Sequence, residues 1–262
     1  MLTRILTAVV ALLLLVPLLI WGGTVGACAL FALISGFCVF EMLSCCGLLK
    51  KWAISIPAII LSALTVLMPV ISNLLDAIAD YYFILPLVIV FSLIVAVVMH
   101  EKLDVERLLM FITLAIYITA GFSALSAMRI VCGLWAVAFV LSVSWATDTF
   151  AYFSGYLFGK RKLCPNISPK KTVEGAIGGT LFGTLAGVLV CYIANGEIWF
   201  GFLALPLSVI SQFGDLAASV IKRRFGVKDY GKIFPGHGGV LDRFDSIIPV
   251  SVAAAFLLFF VR

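Results

Sequence analysis

Charge is scarce in this chain: Asp, Glu, Lys and Arg make up 12% of its 262 residues, and histidine occurs only twice, at His100 and His237. So little charge excludes the surface of an ordinary soluble domain, which has about a quarter of its residues charged. Two histidines leave little room for histidine-based acid–base catalysis. The seven cysteines (Cys28, Cys38, Cys45, Cys46, Cys132, Cys164 and Cys191) are odd in number, fall mostly within apolar runs and show no CxxC pairing. They read as small buried residues and offer no disulfide framework. Cys45 and Cys46 fall near a membrane boundary, where acylation is conceivable, but packing is the expectation. No small-x-small cleavage site follows the first apolar run, so that run is expected to persist as a span.

What is present is apolar surface: 63% of the residues are hydrophobic and the mean hydropathy is +1.21. Both values point to the bilayer as solvent. Measured against the roughly 20 apolar residues that a spanning helix needs, the chain divides into nine segments, near 5–21, 24–47, 52–71, 83–99, 108–127, 130–153, 174–194, 198–221 and 245–261. The expected fold is all-α and polytopic. Laid alternately with the N-terminus inside, these spans put all of the 18 Lys and Arg residues except Arg129 and Arg262 on the cytoplasmic side. Asp76, Asp80 and Glu197 fall outside. The positive-inside rule thus supports both the count and a cytoplasmic N-terminus.

The two halves differ. Residues 1–127 hold almost no polar chemistry within their spans and read as scaffold. Glu41 is the exception, and snorkelling or pairing with Lys50 is its simplest explanation. The HEKLDVERL connection mixes charge signs evenly, as a solvated loop does. Residues 128–262 read as the catalytic region, with cytoplasmic loops at 154–173 and 222–244.

In that second half, Asp148 and Asp215 sit in runs otherwise fit to span, where a carboxylate costs about 2.5 to 3.5 kcal/mol, so each is a candidate functional group. Ser211, Asp215, Ser219 and Lys222 recur at spacings of four, four and three, which places them on one helix face running toward the cytoplasm. Asp148 shares a face with Ser144 and Gly155. Asp242 and Asp245 open the last span. Four carboxylates therefore gather at one leaflet, beside the basic loops GKRKLCPNISPKKTVEG and KRRFGVKDYGKIFPGHGG.

Carboxylates beside lysines and glycines suit a divalent cation with phosphate. Mg²⁺ takes oxygen ligands and bridges to phosphates, while Lys, Arg and glycine-exposed N–H groups hold the remaining phosphate oxygens. Phosphoryl or nucleotidyl transfer is the chemistry implied. Contact with anionic lipids would explain the lysines but not the buried aspartates. Gly175, Gly179, Gly183 and Gly187 repeat every fourth residue, a stripe suited to close helix packing rather than phosphate binding. Gly236, Gly238 and Gly239 instead lie in a loop, where missing side chains allow tight turns and close substrate approach.

The segment from Ser219 to Asp245, S-V-I-K-R followed by four residues and K-D-Y-G-K-I-F-P-G-H-G-G-V-L-D-R-F-D, resembles the signature of the phosphatidate cytidylyltransferases, or CDP-diacylglycerol synthases. DTFAYFSGYLFGK (148–160) and ISPKKTVEG (167–175) are similar to further family segments. The resemblance is strong over about 145–250. It implies the reaction of CTP with phosphatidate to give CDP-diacylglycerol and pyrophosphate in phospholipid biosynthesis, with Mg²⁺, a second cation such as K⁺, and a homodimer in the membrane.

By that resemblance Asp215 and Asp242 are metal ligands, with Asp245 a further ligand or the orienter of Arg243. Lys222, Arg223, Lys228 and Arg243 are expected to neutralise the triphosphate and the departing pyrophosphate. Lys170 and Lys171 would hold a substrate phosphate, that of the lipid, and Asp148 would contact cytosine or support the site from behind. Ser219, Asp229, Gly238 and Gly239 complete the expected substrate-binding set. For His237, positioning, proton donation to pyrophosphate and loop structure stand as equal readings. A compact chain without a long polar tail fits a bacterial inner membrane with the site facing the cytoplasm, and no nucleic-acid partner is expected. The rival readings are a CTP- or ATP-dependent membrane lipid kinase and a cation transporter using the intramembrane aspartates. A CDP-alcohol phosphotransferase is disfavoured, because DG-x-x-AR is missing.

Overall fold

A computed structural model describes residues 13, 15–75, 90, 94, 97, 104–195, 198–233 and 238–261. Helices dominate it: α1 (Gly23–Cys45), α2 (Trp52–Leu75), α3 (Val105–Val131), α4 (Leu134–Phe158), α5 (Val173–Asn195), a single turn α6 (Ile198–Gly201), α7 (Ala204–Arg224), a second single turn α8 (Leu241–Phe244) and α9 (Ile247–Val261). Among the described residues, six helices are long and apolar enough to cross a membrane. At 1.5 Å per residue, helices of this length match a hydrocarbon core about 30 Å thick, and within it only a helix or a closed barrel satisfies its own backbone. The all-α membrane character expected from hydropathy therefore holds. Of the expected spans, 83–99 lies outside the described residues except at positions 90, 94 and 97, and 5–21 is described only in its later part.

The chain forms two compact units, one of residues 1–130 with 229–243, the other of residues 131–228 with 244–262. In the first, Phe31, Met42, Leu43, Phe122 and Leu125 are fully buried. Hydroxyls join its helices: Ser35 and Ser62 share a hydrogen bond of 2.7 Å, and Thr119 donates to Ser62 at 2.9 Å. In apolar surroundings such bonds fix helix register as well as adding attraction.

In the second unit α4 and α5 run antiparallel in close contact. The glycine stripe of α5 is the reason. A Cβ at Gly175 would meet the Ala151 carbonyl at 2.7 Å, and one at Gly179 would meet the Thr147 carbonyl at 2.7 Å. One at Gly187 would strike Phe139 and Val143, so rising numbers on α5 meet falling numbers on α4. Packing is thus the use of this stripe, as its spacing suggests. Gln212 ties α7 to α5 by donating to Thr180 Oγ1 at 2.9 Å and to the Ala176 carbonyl at 3.2 Å. Gly214 on α7 admits the Pro249 ring of α9.

The basic connection between α4 and α5 is more ordered than a plain loop. It forms an antiparallel hairpin of β1 (Lys162–Cys164) and β2 (Ser168–Thr172), in register Lys162 with Thr172 and Cys164 with Ser168. Its base is tied to α5, where the Glu174 carboxylate accepts the N–H groups of Lys160 at 3.0 Å and Arg161 at 3.2 Å.

Candidate active site

The second unit assembles most of the polar residues singled out from sequence. Lys171, on β2, pairs with Asp215, on α7, at 2.5 Å, and both side chains are about one third exposed or less. Lys222 Nζ lies 3.8 Å from Asp245 Oδ2, with each side chain 12% exposed. Asp148 accepts the Ser246 hydroxyl at 2.8 Å, so α4 meets the chain immediately after Asp245. Asp245 also accepts the N–H of Ser246 at 2.9 Å, which fixes its carboxylate at the start of α9. Three of the four aspartates thus lie with two of the expected lysines inside one unit. Ser144, Ser208 and Ser211 hydroxyls are buried there with no protein hydrogen-bond partner.

Hairpin placement of Lys170 and Lys171 rests on Thr172. Its hydroxyl accepts the Gly175 N–H at 3.1 Å. Gly155, Gly159 and Gly175 close around it, since a Cβ on any of them would come within 2.9 Å of that oxygen. Lys170 is exposed beside it, Arg223 and Lys228 are exposed at and beyond the end of α7, and Ser219 is half-buried on α7. Arg223 Nη1 donates to the Val227 carbonyl at 3.3 Å, which holds the guanidinium near the end of the helix.

In the first unit the loop 229–243 carries Asp229, Gly238, Gly239, Asp242 and Arg243. Asp242 Oδ2 accepts two backbone N–H groups, from Tyr230 at 2.8 Å and from Gly239 at 2.9 Å. Gly238 has φ +87°, a conformation open to glycine, and a Cβ there would stand 2.8 Å from the same oxygen. Arg243 is exposed. His237 lies outside the described residues.

One sequence expectation is corrected. Glu41 neither snorkels nor pairs with Lys50: it is 1% exposed and accepts the N–H groups of Val240 at 2.9 Å and Leu241 at 2.8 Å. The physical reason is that a carboxylate in an apolar helix needs hydrogen-bond donors, and backbone amides 199 and 200 residues away supply them. Besides Glu41, sequence reasoning missed the roles of Glu174, Thr172 and Ser246. The one available signal was for Glu41, a carboxylate within an apolar run, as at Asp148.

An apolar cavity of about 380 Å³ occupies the other end of the second unit, lined by Trp135, Phe139, Val190, Phe200 and Leu257 among others. It carries no carboxylate or ammonium group and is unsuited to a nucleotide.

Among the described residues, no three His, Cys, Asp or Glu side chains group to hold a metal by themselves. The donor chemistry nonetheless fits Mg²⁺. That ion is bound by one or two carboxylates, with water and substrate phosphates completing its shell, and within the second unit Asp215 and Asp245 are hard oxygen donors of that kind.

The chain is similar to curated phosphatidate cytidylyltransferases. That of Staphylococcus haemolyticus is 36% identical over 252 residues, 94% of each chain. That of Staphylococcus saprophyticus is 37% identical over 255 residues, again 94% of each. That of Brucella abortus is 47% identical over 146 residues, 53% of each. The model of the cytidylyltransferase family matches residues 2–261. From a match of that extent, the chain belongs to the cytidylyltransferase family.

Proposed function

We propose that this chain transfers the cytidylyl group of CTP to phosphatidate, making CDP-diacylglycerol and pyrophosphate for phospholipid synthesis. The observation that carries this reading is the family match over residues 2–261, joined by relatives of that name aligned over 94% of the chain. Polar chemistry in the second unit agrees with it, since lysines and carboxylates meet there in an otherwise apolar protein.

In the reaction, an already ionised phosphate oxygen of phosphatidate attacks the α-phosphorus of CTP. A new P–O bond forms, the bond to the bridging oxygen of the β-phosphate breaks, and pyrophosphate leaves with the electron pair. No strong base is required, which suits a chain with two histidines. Alignment and charge neutralisation are required instead. Bound Mg²⁺ would supply part of that neutralisation. Asp215 and Asp242 are the residues to hold it, with Asp245 a further ligand or the orienter of Arg243. Lys222, Arg223, Lys228 and Arg243 neutralise the triphosphate and pyrophosphate, and Lys170 and Lys171 hold the lipid phosphate. Ser219, Asp229, Gly238 and Gly239 line the substrate path, Asp148 supports the nucleotide, and His237 positions or protonates pyrophosphate. A second cation such as K⁺ belongs to the same reading.

The finer membrane arrangement is part of this proposal: nine spans, a cytoplasmic N-terminus, scaffold in 1–127, catalysis in 128–262, and a homodimer in the inner membrane with its site facing the cytoplasm. The distribution of Lys and Arg supports the span count and the orientation. The test is direct. Purified protein in detergent, given phosphatidate, radiolabelled CTP and Mg²⁺, should yield a lipid-soluble cytidine product and pyrophosphate. Release of CDP without cytidine in the lipid phase would identify a kinase and overturn the reading.

A further inference from the structure

We infer that Glu41, in the first transmembrane half, is a positioning residue for the transfer reaction: it sets the backbone of the loop that carries Asp242. Its carboxylate is 1% exposed. Each oxygen takes one amide, Oε1 that of Val240 at 2.9 Å and Oε2 that of Leu241 at 2.8 Å. These are the two residues before Asp242. Two N–H groups on two oxygens of one rigid carboxylate fix the orientation of successive peptide planes, and charge-assisted bonds of this kind are the stronger ones.

The surroundings are shaped for that carboxylate. A Cβ at Gly231 or at Gly239 would collide with the Glu41 carboxyl group, so the loop reaches it through residues without side chains. The turn beyond is closed by the Arg243 N–H, which donates to the Val240 carbonyl at 2.9 Å. Asp242 then ties the loop to itself through the Tyr230 and Gly239 amides. Glu41 therefore holds the peptide backbone from which Asp242 projects, while Asp242 holds the two ends of the loop. Loss of Glu41 should loosen residues 229–243 and leave the long helices intact, because the two amides it binds belong to Val240 and to the first residue of the single turn α8. The inference rests on the proposed role of Asp242 as a metal ligand.

The test compares Glu41→Gln, Glu41→Asp and Glu41→Ala in detergent, reading hydrogen exchange of peptides within 229–243, the Mg²⁺ concentration for half-maximal activity, and kcat and KM. Glu41→Gln keeps the volume but sets an NH₂ donor against an N–H donor. It should speed exchange in 229–243 alone, raise the Mg²⁺ requirement and lower kcat about 10- to 100-fold. Glu41→Asp keeps both acceptors and should recover more activity than Glu41→Gln. If Glu41→Ala does not fold, the isosteric Gln variant still decides. Unchanged exchange in 229–243, faster exchange throughout the helices, or a loosened loop with wild-type kcat and Mg²⁺ dependence would each overturn the inference. Should Asp242→Asn retain wild-type Mg²⁺ dependence while Glu41→Gln loses activity with a loosened loop, the metal assignment fails and the positioning role stands.

Discussion

Asp215 and Asp242 are carboxylates in different settings, and the difference shapes what their removal should do. Asp215 is paired with the side-chain ammonium of Lys171, whereas one oxygen of Asp242 is shared by two backbone amides. Asn at either position keeps the size and removes the charge. We expect Asp215→Asn and Asp242→Asn each to lower CTP incorporation into lipid by at least about 100-fold, measured in detergent with purified protein. Only Asp242→Asn should also disturb hydrogen exchange in 229–243, because its side chain takes part in the loop itself. Wild-type incorporation by either variant would remove that aspartate from the proposed metal site. Cys46 makes a different prediction. Its side chain is packed in the interior, 1% exposed. Cys46 should resist iodoacetamide at pH 8, as read by mass spectrometry, while exposed Cys132 reacts. Rapid labelling of Cys46 in folded protein would contradict its burial.

At the scale of elements, the α4–α5 pair and its hairpin are the parts that present Lys170 and Lys171. Backbone approach along the glycine stripe leaves no space for added atoms: at Gly179 a Cβ would lie 2.7 Å from the Thr147 carbonyl and 2.9 Å from the Ala151 Cβ. Gly179→Ala should therefore destabilise by about 1 to 3 kcal/mol, seen as a lower thermal midpoint in detergent. An unchanged midpoint would mean that the helices separate without cost. The hairpin depends on Glu174, a half-buried residue at the first turn of α5 that accepts the backbone amides of Lys160 and Arg161 just after α4. Glu174→Ala should raise the KM for phosphatidate and leave the thermal midpoint nearly unchanged. A fall in kcat alone would place the hairpin's role in chemistry rather than in lipid capture.

Considered as a whole molecule, the chain divides in a way that its order conceals. Residues 229–243 cluster with 1–130, although the helices on either side of that loop belong to the other unit. The proposed orientation carries its own test. Single cysteines at Lys51 and Lys232, in a background without reactive cysteine, should be labelled by a membrane-impermeant maleimide in inverted vesicles and not in intact spheroplasts. Labelling from outside would reverse the assignment. Membrane class and long helices were legible in the sequence because each helix satisfies its own backbone locally, so length and apolarity suffice. Candidate residues Asp148, Asp215, Lys171 and Asp245 were legible too, since charge in an apolar chain is costly and needs a reason. Their pairing was not, because nothing in the spacing of Lys171 and Asp215 states that β2 meets α7. Glu41 is the clearest limit. Its partners are peptide N–H groups, which nearly every residue possesses, so no side-chain pattern could point to Val240 and Leu241. The sequence alone determined the membrane class, the long apolar helices and the residue types of the candidate site. Only the tertiary structure decided that a carboxylate in the first half holds a loop 199 residues away, because backbone donors carry no residue signature until the chain brings them together.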